Sequence, residues 1–312
     1  MDMKMRPVIE IGIYSFIGLS LFILSYLFPF FLFILPVPFI VFHVRRNQIY
    51  SFMALFIMAG ILYFLSGPLS AAVVLIYTGF LSYVIGYLIR QNFKVSRIFA
   101  WSSISVAAFI LLSVFFLQYF NDIDIVNILK AGFANYTEAQ IKVLQQAGFG
   151  GEEIQEVASV LNKGVQMAFV LLPALLIILS TFLSYLNYYL SAKVLRQMGI
   201  GIIQIPNINQ FRLPKHMVAG TLVVALGIYF MGQAGFAFTN ELSLNAILIF
   251  SFLFTINGIA AVDSILKRRA SVFIRVLLPV VFVLFLGLTS FYALIGVFDL
   301  AFDVRDRFRR YL

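Results

Sequence analysis

Ser180, Ser184, Asn187 and Ser191 recur at i, i+4, i+7 and i+11, which places three hydroxyls and a carboxamide on one helical face. These are neutral hydrogen-bonding groups inside an apolar stretch, and that chemistry has two uses. They line a site for an uncharged ligand, or they bond a neighbouring helix, where such a bond contributes about 0.6 kcal/mol on average. Tyr77 and Gln118 offer similar groups in other apolar stretches, so the candidate ligand-binding set is Ser180, Ser184, Asn187, Tyr77 and Gln118. No opposite charge stands among them to hold an ionic ligand, so a neutral, amphiphilic or aromatic one fits better.

Glu10 enters the first apolar stretch, and a charge within a membrane segment is a functional candidate by default. Its local alternative is a pair with Arg6, four residues back. Asp263 has Lys267 four residues on and reads as a surface pair. Two small-residue seams, Gly12–Ser15–Gly18 and Thr78–Ser82–Gly86, let helix backbones approach closely, for packing within the chain or for docking a partner.

Catalytic motifs are absent. No phosphate-cradling loop ends in Gly-Lys-Ser/Thr, so ATP hydrolysis by that route is excluded, and neither a His-Glu-x-x-His pair nor a Gly-x-Ser-x-Gly elbow occurs. His43 and His216 stand at the ends of apolar stretches and read as interfacial polar residues. The lack of Cys removes disulfides, thiolate metal sites and cysteine nucleophiles. The expectation is a protein that is not an enzyme and needs no metal or cofactor.

The elements that position these residues follow from composition. The 312 residues are 62% hydrophobic and 11% charged, where soluble domains run at about 45–50% and about 25%. So few charges cannot cover a water-facing surface, and the excess apolar area faces lipid. The fold class is therefore all-α, a polytopic transmembrane bundle of about eight to nine spans. Nine apolar stretches are marked off at 8–28, 30–44, 49–66, 69–89, 98–120, 165–190, 216–234, 244–264 and 274–298. Crossing the hydrocarbon takes about 20 helical residues. The stretch 30–44 is short and contains Pro36 and Pro38, which leaves a short span or a re-entrant segment open.

The net charge of +9 is distributed between these stretches, not as a patch interleaved with aromatics, so lipid and topology explain it better than nucleic acid. Fifteen basic residues, from Lys4 to Arg275, fall on one side and three on the other. The positive-inside rule then puts the amino terminus in the cytoplasm of an inner-membrane protein. Four arginines after residue 304 leave the carboxyl-terminal side open. There, Asp303 with Arg307 and Asp306 with Arg310 pair at helical spacing beside Phe302 and Phe308. The connection 121–164 carries six carboxylates and reads as a small extracytoplasmic helical hairpin. Its first helix is capped by Thr137 with Gln140, and its second begins near Glu152 after Gly148, Gly150 and Gly151. Gly199, Gly201, Pro206 and Pro214 divide a six-span core, 1–200, from a membrane extension with an amphipathic tail, 201–312. No internal repeat is evident.

Val8-Ile9-Glu10-Ile11-Gly12, Pro36-Val37-Pro38-Phe39, Phe211-Arg212-Leu213-Pro214 and the run from Gly296 to Arg305 resemble the YybS-like family of bacterial multi-pass membrane proteins. That family has no established activity, so the resemblance implies an inner-membrane location and little else. Residues 8–190 are more distantly similar to substrate-capture subunits of energy-coupling-factor transporters in span count and in the bulky loop before the sixth span. This likeness implies a ligand-binding core docked through its first helix to a transmembrane partner and an ATPase. Three added spans, and a first helix without Ala-like residues at four-residue spacing, depart from it. The resulting expectation is a transport-related subunit that binds a small molecule and depends on a partner ATPase. The alternative is a scaffold or regulator of an envelope process.

Overall fold

Helix α1 (Arg6–Ser25) is followed by a stretch that its prolines split into α2 (Phe30–Phe33) and α3 (Pro36–Arg45). Proline has no N–H to give to the preceding turn. At the break the Val37 N–H donates to the Ile34 carbonyl at 3.0 Å instead of reaching Phe33. The computed structural model describes residues 6–121, 124–202, 208–267, 270–282 and 287–310. Lys4, Asp122, Pro206, Arg268 and Arg269 lie outside the described residues, as do the side chains of Arg6, Phe308, Arg309 and Arg310.

The stretch 30–45 runs back along α1. Glu10 meets Arg45 and Arg46, Tyr14 stacks on Phe42 with ring centroids 4.4 Å apart, and Gly18 faces Phe39. Sixteen residues cover about 24 Å, enough to retrace α1 nearly end to end. Next come α4 (Gln48–Ser66) and α5 (Pro68–Arg90), joined at Gly67. That glycine takes φ +88°, and Pro68 occupies the first helical position, where its missing N–H costs nothing. Helix α6 (Val95–Asn121) leads to α7 (Ile125–Gln146), α8 (Gly151–Val170) and α9 (Leu172–Gln197). A short 3-10 turn, Ile208–Gln210, precedes α10 (His216–Gln233) and α11 (Thr239–Leu266). The chain ends in α12 (Val272–Val280), α13 (Thr289–Phe302) and α14 (Val304–Arg310). Seven of these helices, α1, α4, α5, α6, α9, α10 and α11, are long and apolar enough to cross a membrane.

The chain forms two compact units, residues 1–136 with 179–205, and 137–178 with 206–312. In the first, α3 is the innermost helix, with Phe39, Ile40, Val41 and Phe42, and Leu35 just before it, at most 1% exposed. Its neighbours α1, α4 and α5 surround it. Lipid tails are as apolar as these side chains, so close packing, not expulsion from water, holds the element in place. Small residues make the approach possible. A β-carbon at Gly18 would lie 2.6 Å from the Phe39 ring, and one at Gly86 would lie 2.7 Å from the His43 ring.

In the second unit α11 and α13 run parallel. Thr255 donates to the Thr289 carbonyl at 3.3 Å, and Asn257 donates to the Gly296 carbonyl at 2.9 Å. Helix α13 thus begins beside the middle of α11 and ends at the same end. With 14 residues, about 21 Å, it is too short to cross the roughly 30 Å hydrocarbon layer. The stretch 274–298 is accordingly not a single span. It is a pair of short helices, α12 and α13, that enters and leaves at one end of the unit. Pro279 within α12 and Gly287 at φ +61° mark the break.

Thr137 does not cap a helix. Helix α7 starts twelve residues earlier, where the Asp124 carboxylate accepts the Asn127 N–H at 3.0 Å, and Thr137 is a buried residue within it. The second helix begins at Gly151, with the Glu153 carboxylate accepting the Gly150 N–H at 3.0 Å. It continues past residue 164 to Val170, so the two helices are longer than the connection 121–164 suggests.

Candidate functional site

Ser180, Ser184, Asn187 and Ser191 are all buried on one face of α9. The Asn187 amide donates to the carbonyls of Phe33 and Leu183, both at 2.9 Å. Phe33 is the residue whose carbonyl the α2–α3 break leaves without its usual N–H, so Asn187 repairs the proline defect. The Asn187 carbonyl oxygen and the hydroxyls of Ser180, Ser184 and Ser191 have no partner among the described residues. On α5 the Tyr77 hydroxyl and the Thr78 Oγ1 are buried and equally unpartnered, while the Tyr77 ring packs on Phe109 at 5.3 Å. Leaving a buried polar group unpaired costs about 1–3 kcal/mol. Six such atoms on two helices of one unit are therefore a departure to be explained. Gln118 is exposed, toward the far end of α6, and does not join them.

Five of the six packing residues are buried within the first unit. Ser15 donates to the carbonyls of Ile11 at 2.8 Å and Ala54 at 2.9 Å, Gly18 accommodates Phe39 and Met58, and Gly12 is exposed. Thr78, Ser82 and Gly86 are buried along α5, and Ser82 donates to the Gly79 carbonyl at 3.1 Å. His43 is buried against α5. It is 3% exposed, with its ring in the space that Gly86 leaves and 5.9 Å from Tyr83.

Glu10 is clamped by two arginines from the end of α3. Its carboxylate accepts from Arg45 Nη2 at 3.0 Å and from Arg46 Nε and Nη2 at 2.7 and 3.0 Å. The Arg46 fork uses both oxygens, Arg45 adds a third bond, and together they tie the start of α1 to the end of α3.

The second unit holds a constellation that local spacing does not reveal. Asp299 is fully buried, and its carboxylate accepts from Arg305 Nε at 2.9 Å and from the Arg305 backbone N–H at 3.1 Å. The same guanidinium donates to the Phe211 carbonyl at 2.7 Å and to Asn257 Oδ1 at 3.2 Å. Leu213 N–H also donates to Asn257 Oδ1, at 3.2 Å. Arg212 forks to Asp303 and to Asp306, the latter at 2.8 Å, and Lys215 reaches Asp303 at 2.6 Å. The Lys215 ammonium first, and then the Arg212 guanidinium, hold the Asp303 carboxyl below its ordinary value. Asp303 thus pairs across the chain with Arg212 and Lys215, and Asp306 with Arg212; the Asp306–Arg310 pairing falls on a side chain outside the described residues. Similarly Asp263 is buried and faces Arg275 at 3.5 Å. The segments Phe211–Pro214 and Gly296–Arg305, far apart in sequence, form one joint.

A second unforeseen contact lies where α8 meets α9. Pro173 interrupts the helical ladder there, and Asn245 of α11 fills the gap. Its amide donates to the Val170 carbonyl at 2.8 Å, and its carbonyl accepts the Ala174 N–H at 2.9 Å. One carboxamide replaces the missing Val170–Ala174 hydrogen bond.

Seven long apolar helices and buried neutral polar groups define a multi-pass α-helical membrane protein. A family model described as "Predicted membrane protein (DUF2232)" matches residues 12–300, and the chain belongs to that family. Comparison with curated proteins and with solved structures returned no match.

Proposed function

We propose that the chain is a small-molecule-binding subunit of a membrane transport system, and that α5 and α9 of the first unit provide the binding groups. One observation carries this reading: six buried neutral polar atoms, on Tyr77, Thr78, Ser180, Ser184, Asn187 and Ser191, lack partners among the described residues. No buried carboxylate, lysine or arginine of the first unit accompanies them among those residues. Hydroxyls and a carbonyl without an opposing charge suit a neutral or amphiphilic ligand, since an ionic one would enter without compensation. The chain carries no nucleotide-phosphate loop, so transport would be driven by a separate ATPase, and the protein itself is read as a binder, not an enzyme.

The same reading takes the arginine- and lysine-rich ends as cytoplasmic, in a bacterial inner membrane. The amino terminus is then inside. The carboxyl terminus follows it, because Asp303 and Asp306 are joined to Arg212 and Lys215, which stand on the basic side.

The full chain, purified from its native membrane and examined by native mass spectrometry, is expected to retain a small molecule. Ser184→Ala removes an unpartnered hydroxyl and should lower retention with little effect on folding. Asn187→Leu should lower it as well, but this change also frees the Phe33 carbonyl. Unchanged retention in Ser184→Ala, together with lower expression in Asn187→Leu, would make the stripe a packing device. A scaffold in an envelope process is the second reading, favoured by apolar side chains exposed on α8 and by an α10 without a buried residue. Copurification with envelope proteins, and with no ligand, supports it.

A further inference from the structure

The first unit has two carboxylates among its described residues, Glu10 and Asp124. Glu10 is engaged by Arg45 and Arg46, and Asp124 caps α7 at the far end of α6. At the basic end Lys94, Arg97, Lys193 and Arg196 are all exposed, and none of the ion pairs among the described residues involves them. Arg90 differs, because its guanidinium is turned onto the carbonyls of His43 and Arg46. No described carboxylate of the first unit matches these four cations.

What lies next to the cations identifies the source of a matching charge. On α9, Tyr185, Tyr189, Lys193 and Arg196 fall at i, i+4, i+8 and i+11, one face of the helix. Tyr185 and Tyr189 stack at 5.9 Å and are each 42% exposed. Below them on the helix the Phe182 side chain is exposed. On α6 the order repeats: Lys94 precedes the first turn, Arg97 and Trp101 follow at i+3 and i+7, and Ile104 is exposed beyond them. Cation, amphipathic ring and apolar side chain succeed one another along both helices. Phosphate, glycerol ester and acyl chain succeed one another in the same way in a phospholipid. An acidic protein would satisfy the cations and leave the aromatic and apolar steps without a role.

We propose that these two stripes, one on α6 and one on α9, are headgroup sites for anionic phospholipid. The proposal does not depend on the small-molecule reading of the first unit. For the test, the full chain is placed in nanodiscs of equal parts phosphatidylglycerol and phosphatidylcholine, and retained lipids are weighed by native mass spectrometry. A preference of about fivefold or more for phosphatidylglycerol is expected, on the scale of one basic residue at an anionic surface. Replacing Lys94, Arg97, Lys193 and Arg196 together by Gln should bring retention to parity. Arg97→Lys with Arg196→Lys should keep the preference, and this variant guards against loss of fold or inverted insertion. Lys130→Gln, Lys142→Gln and Lys163→Gln on α7 and α8 should also leave it intact. Parity in the unaltered chain, an equal loss in the α7–α8 variant, or displacement of the lipid by soluble glycerophosphate would overturn the proposal.

Discussion

Gly258 and Gly296 meet backbone to backbone where α11 and α13 cross in parallel. A β-carbon on Gly258 would collide with the Tyr292 carbonyl, and one on Gly296 with the Phe254 carbonyl. Backbone atoms cannot rotate aside as a flexible side chain does, so even one added methyl must push the helices apart. Gly258→Ala and Gly296→Ala are each expected to destabilise the chain by at least about 1–3 kcal/mol, the usual range for overpacking. Thermal unfolding in detergent, followed by loss of the monodisperse peak, measures it. Gly227→Ala, a helical site with open space around it, is the control and should change little. An equal effect in the control would refute the close crossing.

Asn245 stands in for a backbone hydrogen bond, and that substitution predicts an unusual rescue. Asn245→Leu leaves the Val170 carbonyl and the Ala174 N–H without their partner, at about 1–3 kcal/mol for an unpaired buried group. Pro173→Ala removes the reason for the gap, so α8 and α9 can close the ladder directly. The double change should therefore be more stable than Asn245→Leu alone. Additive losses in the double-mutant cycle would show that the carboxamide only fills space.

The contacts that sequence conveyed and those it hid differ in range. Long apolar runs such as 69–89 mark α5 unaided, because burial in lipid needs only length and composition. The run 274–298 meets the same test of composition, yet Pro279 and Gly287 break it, and only the pairing of Thr255 with Thr289 reveals that α13 turns back. Glu10 has an arginine four residues before it, which local spacing favours, while Arg45 and Arg46 lie 35 and 36 residues on. His43 stands next to the basic residues of a helix end, but Gly86 opens a place for its ring that no local pattern foretells. The α9 stripe was legible as a face. That Asn187 spends its amide on Phe33 while its neighbours' hydroxyls stay unpartnered depends on a break 154 residues away.

The Asp303 joint should respond to acid. With its folded pKa held below the ordinary value of about 3.9, chiefly by Lys215 and then by Arg212, Asp303 contributes stability that is complete above that value. The contribution is lost as pH falls through the lower folded pKa. Limited proteolysis of the carboxyl-terminal segment, titrated downward through this window, should show release in the unaltered chain. Asp303→Asn should be looser at neutral pH and flatter across the titration. Parallel curves for the two proteins would mean that another group titrates.

Asp299 and Arg305 give the sharpest energetic test, because each is the other's main compensation. Their side chains are 0% and 4% exposed, and Arg305 also holds the Phe211 carbonyl. Arg305→Met leaves a buried carboxylate unmatched, and Asp299→Leu leaves a buried guanidinium unmatched. Each is expected to cost about 3–5 kcal/mol. Exchanging both for apolar residues removes both charges, so most of that loss should return. What remains is the bond to Phe211 and the fit around Asn257. Arg305→Lys keeps the charge but not the planar fork, and should fall between the unaltered chain and Arg305→Met. Thermal unfolding of the unaltered chain, Arg305→Met, Asp299→Leu and the double variant gives the coupling energy. A double variant as unstable as the sum of its singles would mean that Asp299 and Arg305 act on the fold independently, with Arg305 working mainly through Phe211.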